Sequence, residues 1–121
     1  MKLRLFGFLA FCLMGSAIQA QQTSKDFFQR GTVKYQLEDY KAAIIDFDQG
    51  IEIAHSNEFP KNKKTKDNPT YDKQLASAYL KRGLCKIKLN DKKGGCMDID
   101  KALYMGDEKA YREKEKYCKE Y

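Results

Sequence analysis

Residues 27–53 read FFQRGTVKYQLEDYKAAIIDFDQGIEI, and residues 79–105 read YLKRGLCKIKLNDKKGGCMDIDKALYM. The second stretch repeats the first at an offset of 52 residues, with eight identities among the 27 aligned positions. A self-match of this size predicts a repeat architecture in which each copy is one supersecondary unit. The identical pairs are Arg30/Arg82, Gly31/Gly83, Lys34/Lys86, Leu37/Leu89, Asp39/Asp91, Lys41/Lys93, Asp46/Asp98 and Asp48/Asp100.

The first copy, residues 21–54, predicts two antiparallel helices joined by a short link. Ser24 is expected to cap a helix that runs to about Leu37, and Asp39 to cap a second helix from Tyr40 to about Ala54. Apolar or small residues at i, i+4 and i+7 spacing place one stripe on each helix, facing the other. The stripe residues are Phe27, Gly31, Ala43, Phe47 and Gly50.

The second copy, residues 70–106, predicts the same pair of helices, with Asp91 as the cap of the second. Gly106 is expected to end that helix, and Asp107 to cap a fifth helix over residues 107–121. The fifth helix is expected to cover the last repeat and to present a polar outer face. Its apolar stripe is Ala110, Tyr117, Cys118 and Tyr121, and the facing stripe of the copy is Tyr79, Gly83, Gly95, Ile99 and Ala102.

Residues 55–69 separate the two copies and read HSNEFPKNKKTKDNP. Both prolines of the chain lie here, which favours a loop. Its basic run admits two interpretations, a solvated connection or an anion-binding patch. The patch residues are Lys61, Lys63, Lys64 and Lys66.

The first twenty residues have the pattern of a secretory signal peptide. Lys2 and Arg4 precede an apolar run over residues 5–14, and small Ala20 stands where a signal peptidase would cut. The apolar run is half the length of roughly 20 residues that a membrane-spanning helix needs. We therefore expect export, to the periplasm or the medium, with no transmembrane span in the mature chain.

Charge and composition argue against several function classes. The chain carries a formal net charge of +6, and removing residues 1–20 leaves 21 Lys and Arg against 17 Asp and Glu. This mild excess is not typical of a nucleic-acid-binding protein. The sequence contains no phosphate-binding loop, nucleophile elbow or His-Glu-x-x-His motif, and His55 is its only histidine. We expect no catalysis, no cofactor and no metal site.

The helix pairs resemble the tetratricopeptide repeat, whose signature has an aromatic residue, then Leu-Gly and then Tyr on the first helix, and Ala-x-x-x-Phe on the second. Phe27, Gly31, Ala43 and Phe47 match that pattern in the first copy, and Tyr79, Gly83 and Ala102 match in the second. The chain departs from it at Arg30, Arg82, Lys34, Lys86, Gly95 and Ile99, and its copies lie 52 residues apart instead of 34. The segment around Cys96, Asp98 and Gly106 also resembles repeat proteins exported by Bacteroidota-type bacteria. The resemblance implies an all-α solenoid of two units and a capping helix.

Three cysteines lie in the mature chain, and an oxidising compartment favours a disulfide between two of them. Cys96 and Cys118 lie at similar distances along the chain from Gly106, so they would lie at similar heights on two antiparallel helices. Cys85 and Cys96 are likewise equally distant from the turn at Asn90-Asp91, so height alone does not choose between the two pairings. Cys85 aligns with Val33, an apolar position, whereas Cys118 lies on the inward stripe of the last helix. This orientation favours Cys96–Cys118.

A second apolar stripe lies beside the facing stripe on the first helix of each copy. In tetratricopeptide folds the corresponding face lines a concave groove, so the resemblance implies a docking site for a protein or peptide. The alternative is that the inserted loop, the N-terminal tail or a second copy of the chain fills the groove. Family clamps for a C-terminal carboxylate use Lys and Asn, which are absent from these positions. The groove residues are Phe28, Thr32, Tyr35, Leu80, Leu84 and Ile87.

These observations predict a non-catalytic scaffold of the cell envelope that binds another protein. The second hypothesis is binding of an anionic polymer or membrane surface through Lys61–Lys66. A catalytic hypothesis would depend on His55 alone.

Overall fold

The computed structural model describes residues 21–58 and 69–120, without the side chains of residues 57, 58 and 69–72. Every regular element in these ranges is helical, as the sequence predicts. The predicted signal peptide and the Lys61–Lys66 run lie outside the described residues. The five α helices are α1 (Ser24–Gln36), α2 (Tyr40–Ile53), α3 (Pro69–Lys88), α4 (Lys92–Tyr104) and α5 (Glu108–Tyr117).

Three ends of these helices differ from the predictions. The fifth helix does not continue to residue 121 but ends at Tyr117, with Cys118 as its C-cap. Thr23, not Ser24, caps α1: its hydroxyl accepts the Asp26 backbone N–H, and the Asp26 carboxylate accepts the Thr23 N–H at 2.9 Å. This reciprocal capping box satisfies two backbone donors, so it prevails over a cap at Ser24, which is buried as the first helical residue. The predicted loop does not begin at His55, because a π-helical turn, Ala54–Glu58, continues α2.

The three short links between helices share one backbone conformation. In the first, Asp39 N–H donates to the Lys34 carbonyl and Glu38 N–H to the Tyr35 carbonyl. The same pair of bonds recurs at residues 90–91 and 106–107, and it satisfies carbonyls at each helix end. The residues at the bend, Glu38, Asn90 and Gly106, all have positive φ. The aspartates that follow cap the next helices, as predicted.

Consecutive helices pack against each other along the chain. The closest packing is α1 on α2 and α3 on α4, and the pairs are joined where α2 meets α3 and α1 meets α3. The C-terminal helix α5 packs on α4. The contacts between neighbours therefore follow the sequence repeat.

One continuous core runs through the molecule, and it contains most of the predicted facing stripe. Phe47 and Ile99, which align in the two copies, are fully buried. Phe27 is half-buried beneath the Arg30 guanidinium, and its neighbour Phe28 is buried instead. The remaining buried members of the stripe are Gly31, Ala43, Gly50, Tyr79, Gly83, Gly95 and Ala102.

Glycines allow the helices of each pair to approach closely, in a different way in each copy. A Cβ on Gly50 would lie 2.5 Å from the Phe28 ring, so α1 and α2 use the space for an aromatic side chain. A Cβ on Gly83 would lie 2.7 Å from the Gly95 carbonyl oxygen, so α3 and α4 meet backbone to backbone. Glycine inside a helix costs about 0.5–1 kcal/mol, and close packing offsets this cost.

Candidate functional site

The repeated identities build one ion-pair cluster in each helix pair. In the first, Asp46 is buried and contacts Arg30 at 3.2 Å and Lys34 at 2.8 Å. In the second, the aligned residue Asp98 accepts two bonds from the Arg82 guanidinium, at 2.7 and 2.8 Å, and contacts Lys86 at 2.9 Å. The members of the two clusters account for three of the eight identical pairs, Arg30/Arg82, Lys34/Lys86 and Asp46/Asp98.

A fourth identical pair joins each unit to the helix that follows it. Asp48 of α2 contacts Arg82 of α3 at 2.9 Å. Its aligned partner, Asp100 of α4, contacts Lys114 of α5 at 2.8 Å. The second copy therefore meets α5 through the same acidic position that the first copy uses to meet the second.

The C-terminal helix is also held covalently. The Cys96 and Cys118 sulfurs lie 2.03 Å apart, at the bonding distance of a disulfide, which agrees with the pairing favoured from the sequence. Cys85 is free and buried. Burial raises the pKa of the Cys85 thiol to about 11. It therefore stays protonated at neutral pH and is a poor nucleophile.

The six predicted groove residues do not share one environment. Phe28 and Leu80 are buried in the core, and Thr32 is partly buried. Tyr35, Leu84 and Ile87 are partly buried and pack against the core. The pKa of Tyr35 is raised, chiefly by burial, and by neighbours that include Cys85, Tyr40 and two residues of α5.

Two open troughs flank the N-terminal half of α3. We call the first the α1–α3 trough: it has a volume of about 460 Å³ and its lining includes Phe28, Thr32, Val33, Lys73 and Ser77. Lys25, Gln29 and Gln74 complete it.

On the other side of α3 is the α3–α5 trough, with a volume of about 500 Å³. Lys73 and Ser77 line both troughs, so the two surfaces meet along one edge of α3. The remaining lining residues are Ala76, Leu80, Lys81, Met105, Gly106, Asp107, Glu108 and Lys109.

Three of the predicted groove residues, Phe28, Thr32 and Leu80, line these troughs. The basic residues that line them were not predicted from the sequence. Lys73, Ser77 and Lys81 follow i, i+4 and i+8 spacing on α3, so they share one helix face. This periodicity is the sequence signal for the shared face, and it is carried by polar residues and not by apolar ones.

Lys81 links the two sides of the site. Its ammonium donates to the Thr32 hydroxyl at 3.1 Å, and that hydroxyl donates to the Phe28 carbonyl at 2.8 Å. The pKa of Lys81 is lowered, first by burial and then by the charge of Lys109, with Asp107 acting in the opposite direction. Lys81 is thus a partly desolvated cation beside a second cation.

A third cleft, of about 340 Å³, opens elsewhere, between the end of α2, α3 and α4. His55 lines it, and its Nε2 lies 2.9 Å from the Tyr79 hydroxyl. The other walls are mainly apolar and include Leu75 and the exposed Tyr104. His55 is thus engaged with a tyrosine hydroxyl.

Neither a metal centre nor a membrane span is evident in residues 21–58 and 69–120. Within them no three His, Cys, Asp or Glu side chains group closely enough to hold a metal ion. No helix in the same ranges is both long and apolar enough to cross a membrane.

Fold and site define an all-α protein with a repeat-like succession of helices and open troughs on both sides of its longest described helix. Comparison with known protein families, curated proteins and solved structures finds no match.

Proposed function

We propose that the chain is an exported, non-catalytic module that binds another protein, built as two tetratricopeptide-like units with α5 as the cap. In this proposal α1 with α2 and α3 with α4 are the units of a short solenoid. The partner lies against the first helices of the units, in the α1–α3 trough and the adjoining α3–α5 trough.

The recurring ion pairs support this reading of the helices. The aspartates Asp48 and Asp100 are aligned in the two copies. Asp48 pairs with Arg82 and Asp100 with Lys114, and each ion pair joins a unit to the next helix. A repeat protein needs such nearest-neighbour contacts, because each unit contacts only those beside it. In that role α5 stands where the first helix of a third unit would begin.

The observation that carries the proposal is the exposure of Val33 in the α1–α3 trough. Its side chain is 53 % exposed, whereas the aligned Cys85 of the second copy is fully buried. Single exposed apolar residues are common on protein surfaces, and Val33 supports the proposal because it lies in a concave trough, the shape that binding sites have. The Cys96–Cys118 disulfide supports the exported location, since disulfides persist in oxidising compartments.

A capture experiment with a matched control tests the proposal. The full chain would be expressed in the cell that produces it, cross-linked and purified as wild type, Val33→Glu and Ile45→Glu. Ile45 is 62 % exposed on α2 and does not line either trough, so its variant carries the same new charge on a comparable surface.

We expect a protein that the wild type and Ile45→Glu both capture and Val33→Glu loses. Equal capture by all three chains would place the partner elsewhere and overturn the proposal. Circular dichroism of the three purified chains verifies that both variants keep their helices.

A further inference from the structure

The troughs beside α3 have an uneven charge. Lys25, Lys73, Lys81 and Lys109 line them, and within the described part of the chain none of the four lies within 4.0 Å of a carboxylate. Other lysines do find partners: Lys34, Lys86, Lys92 and Lys114 each form an ion pair. Lysines without an ion pair to a described residue also lie outside the troughs, Lys41 and Lys88 among them, and the four in the troughs differ from these because they line a concave surface.

The two acidic residues of the α3–α5 trough, Asp107 and Glu108, offset only part of the charge of its three lysines. Asp107 accepts the Lys109 backbone N–H and so caps α5. The Lys81 ammonium donates to the Thr32 hydroxyl, a neutral acceptor, and the charges of Lys109 and Asp107 act on it in opposite directions. A partly buried cation in this setting gains from an anion that arrives with a ligand.

The spacing of the lysines indicates the form of that ligand. Lys73 and Lys81 are eight residues apart on α3, which corresponds to roughly 12 Å along a helix that rises 1.5 Å per residue. An extended peptide covers about the same length in four residues, at roughly 3.3 Å each, and its residues i, i+2 and i+4 point to one side. The residue at i+2 would then face Ala76, Ser77 and Leu80, which lie between the two lysines in the sequence.

We propose that the troughs beside α3 bind an acidic, extended segment of a partner protein, with side-chain carboxylates four residues apart on Lys73 and Lys81 and an apolar residue between them. This inference rests on the proposed function, because it specifies the partner of the same surface. Lys25 and Lys109 extend the positive field to either side of this pair and would steer the segment into place.

Peptide titrations followed by nitrogen-15 NMR test the inference. The probe is an end-blocked peptide that contains Glu-Ser-Leu-Ser-Glu, so its only carboxylates are side chains. One control contains Gln-Ser-Leu-Ser-Gln, and a second contains Glu-Glu-Leu-Ser-Ser, with the same charge in the wrong spacing. The protein is the full chain as purified from the producing cell, and titration to millimolar peptide detects weak binding.

We expect the first peptide to shift amide signals of residues 73–81 and both controls to bind at least about threefold more weakly. Lys73→Gln and Lys81→Gln should each weaken binding about threefold, and the double variant about tenfold, as exposed ion pairs do. Lys41→Gln is the matched control, since Lys41 is exposed on α2 and lines neither trough. Binding should also weaken as salt rises.

Several results would overturn the inference. One is the absence of shifts at millimolar peptide, and another is equal binding of the glutamine peptide, which would leave only apolar contact. A heparin disaccharide that shifts the same signals at lower concentration would assign the lysines to a sulfated polymer. If Val33→Glu loses the captured partner while the lysine variants still capture it, this inference is refuted and the proposed function stands.

Discussion

Asp46 and Asp98 occupy the same position of the repeat, yet we expect their removal to have unequal effects. Both carboxylates are buried. Their partners differ, because the Arg82 side chain is 14 % exposed and binds Asp98 through two bonds, whereas Arg30 is 48 % exposed and contacts Asp46 through one nitrogen. The second lysine partners follow the same trend, with Lys86 less exposed than Lys34.

The expected magnitudes follow from this difference in burial. Asp98→Asn leaves Lys86 without its charge partner and Arg82 with only the exposed Asp48, in a largely dry site, which costs about 3 kcal/mol of unfolding free energy. Asp46→Asn leaves cations that solvent can reach, so we expect a loss of about 1 kcal/mol. Asp100→Asn breaks only the exposed pair with Lys114 and should change the free energy by less than about 0.5 kcal/mol.

Urea unfolding of the wild type and the three asparagine variants measures these differences. With a slope of about 1–3 kcal/mol per molar, a 3 kcal/mol loss lowers the midpoint by roughly 1–3 M. The slope must stay unchanged for the midpoints to be compared. Equal losses for Asp46→Asn and Asp98→Asn, or a larger loss for Asp46→Asn, would refute the argument that partner burial determines the cost.

Three further predictions concern the ends of the structure and its free thiol. Cys118→Ser opens a loop of 22 residues, which should cost about 3 kcal/mol by loop entropy and abolish hydrogen-exchange protection in α5; retained protection would show that packing alone holds this helix. Cys85, with its pKa raised to about 11, should resist iodoacetamide at pH 8 in the native protein and react readily in urea, so equal rates in both states would contradict its burial. The Asp26 pKa is lowered, chiefly by its hydrogen bonds to Thr23, so its stabilising effect is present above the ordinary aspartate pKa and lost as the pH falls through the lower folded value. Carboxyl NMR titration should report that lowered pKa, and a Thr23→Ala chain should return it toward the ordinary value.

Much of the helical framework was predictable because local signals determine it. Asp39, Asp91 and Asp107 each follow a residue with positive φ and cap the next helix, so turn and cap chemistry are both encoded within a few residues. The sequence correctly favoured Cys96–Cys118 as the disulfide, although Val33, the apolar residue aligned with buried Cys85, is itself exposed. The cap at Thr23 was missed, although the Thr-x-x-Asp spacing was available as a signal.

The six predicted groove residues are not all surface residues. Periodicity along one helix does not show which of its residues a neighbouring helix covers. Phe28 and Leu80 stand beside the facing stripe in sequence but are buried. The ring of Phe28 occupies the space above Gly50 on the neighbouring helix, so the crossing of two helices decides its burial. The predicted stripe therefore mixes core residues with surface residues.

The sequence by itself determined the number of described helices, their caps, the repeat at 52 residues and the residues that could form a disulfide, because each depends on neighbours along the chain or on spacing. Tertiary structure alone decided which residues are left exposed. Val33 is exposed and its counterpart Cys85 is buried, and Lys81 approaches Thr32 across 49 residues of sequence. These contacts depend on how helices distant in sequence are placed relative to one another, and local spacing carries no record of that placement.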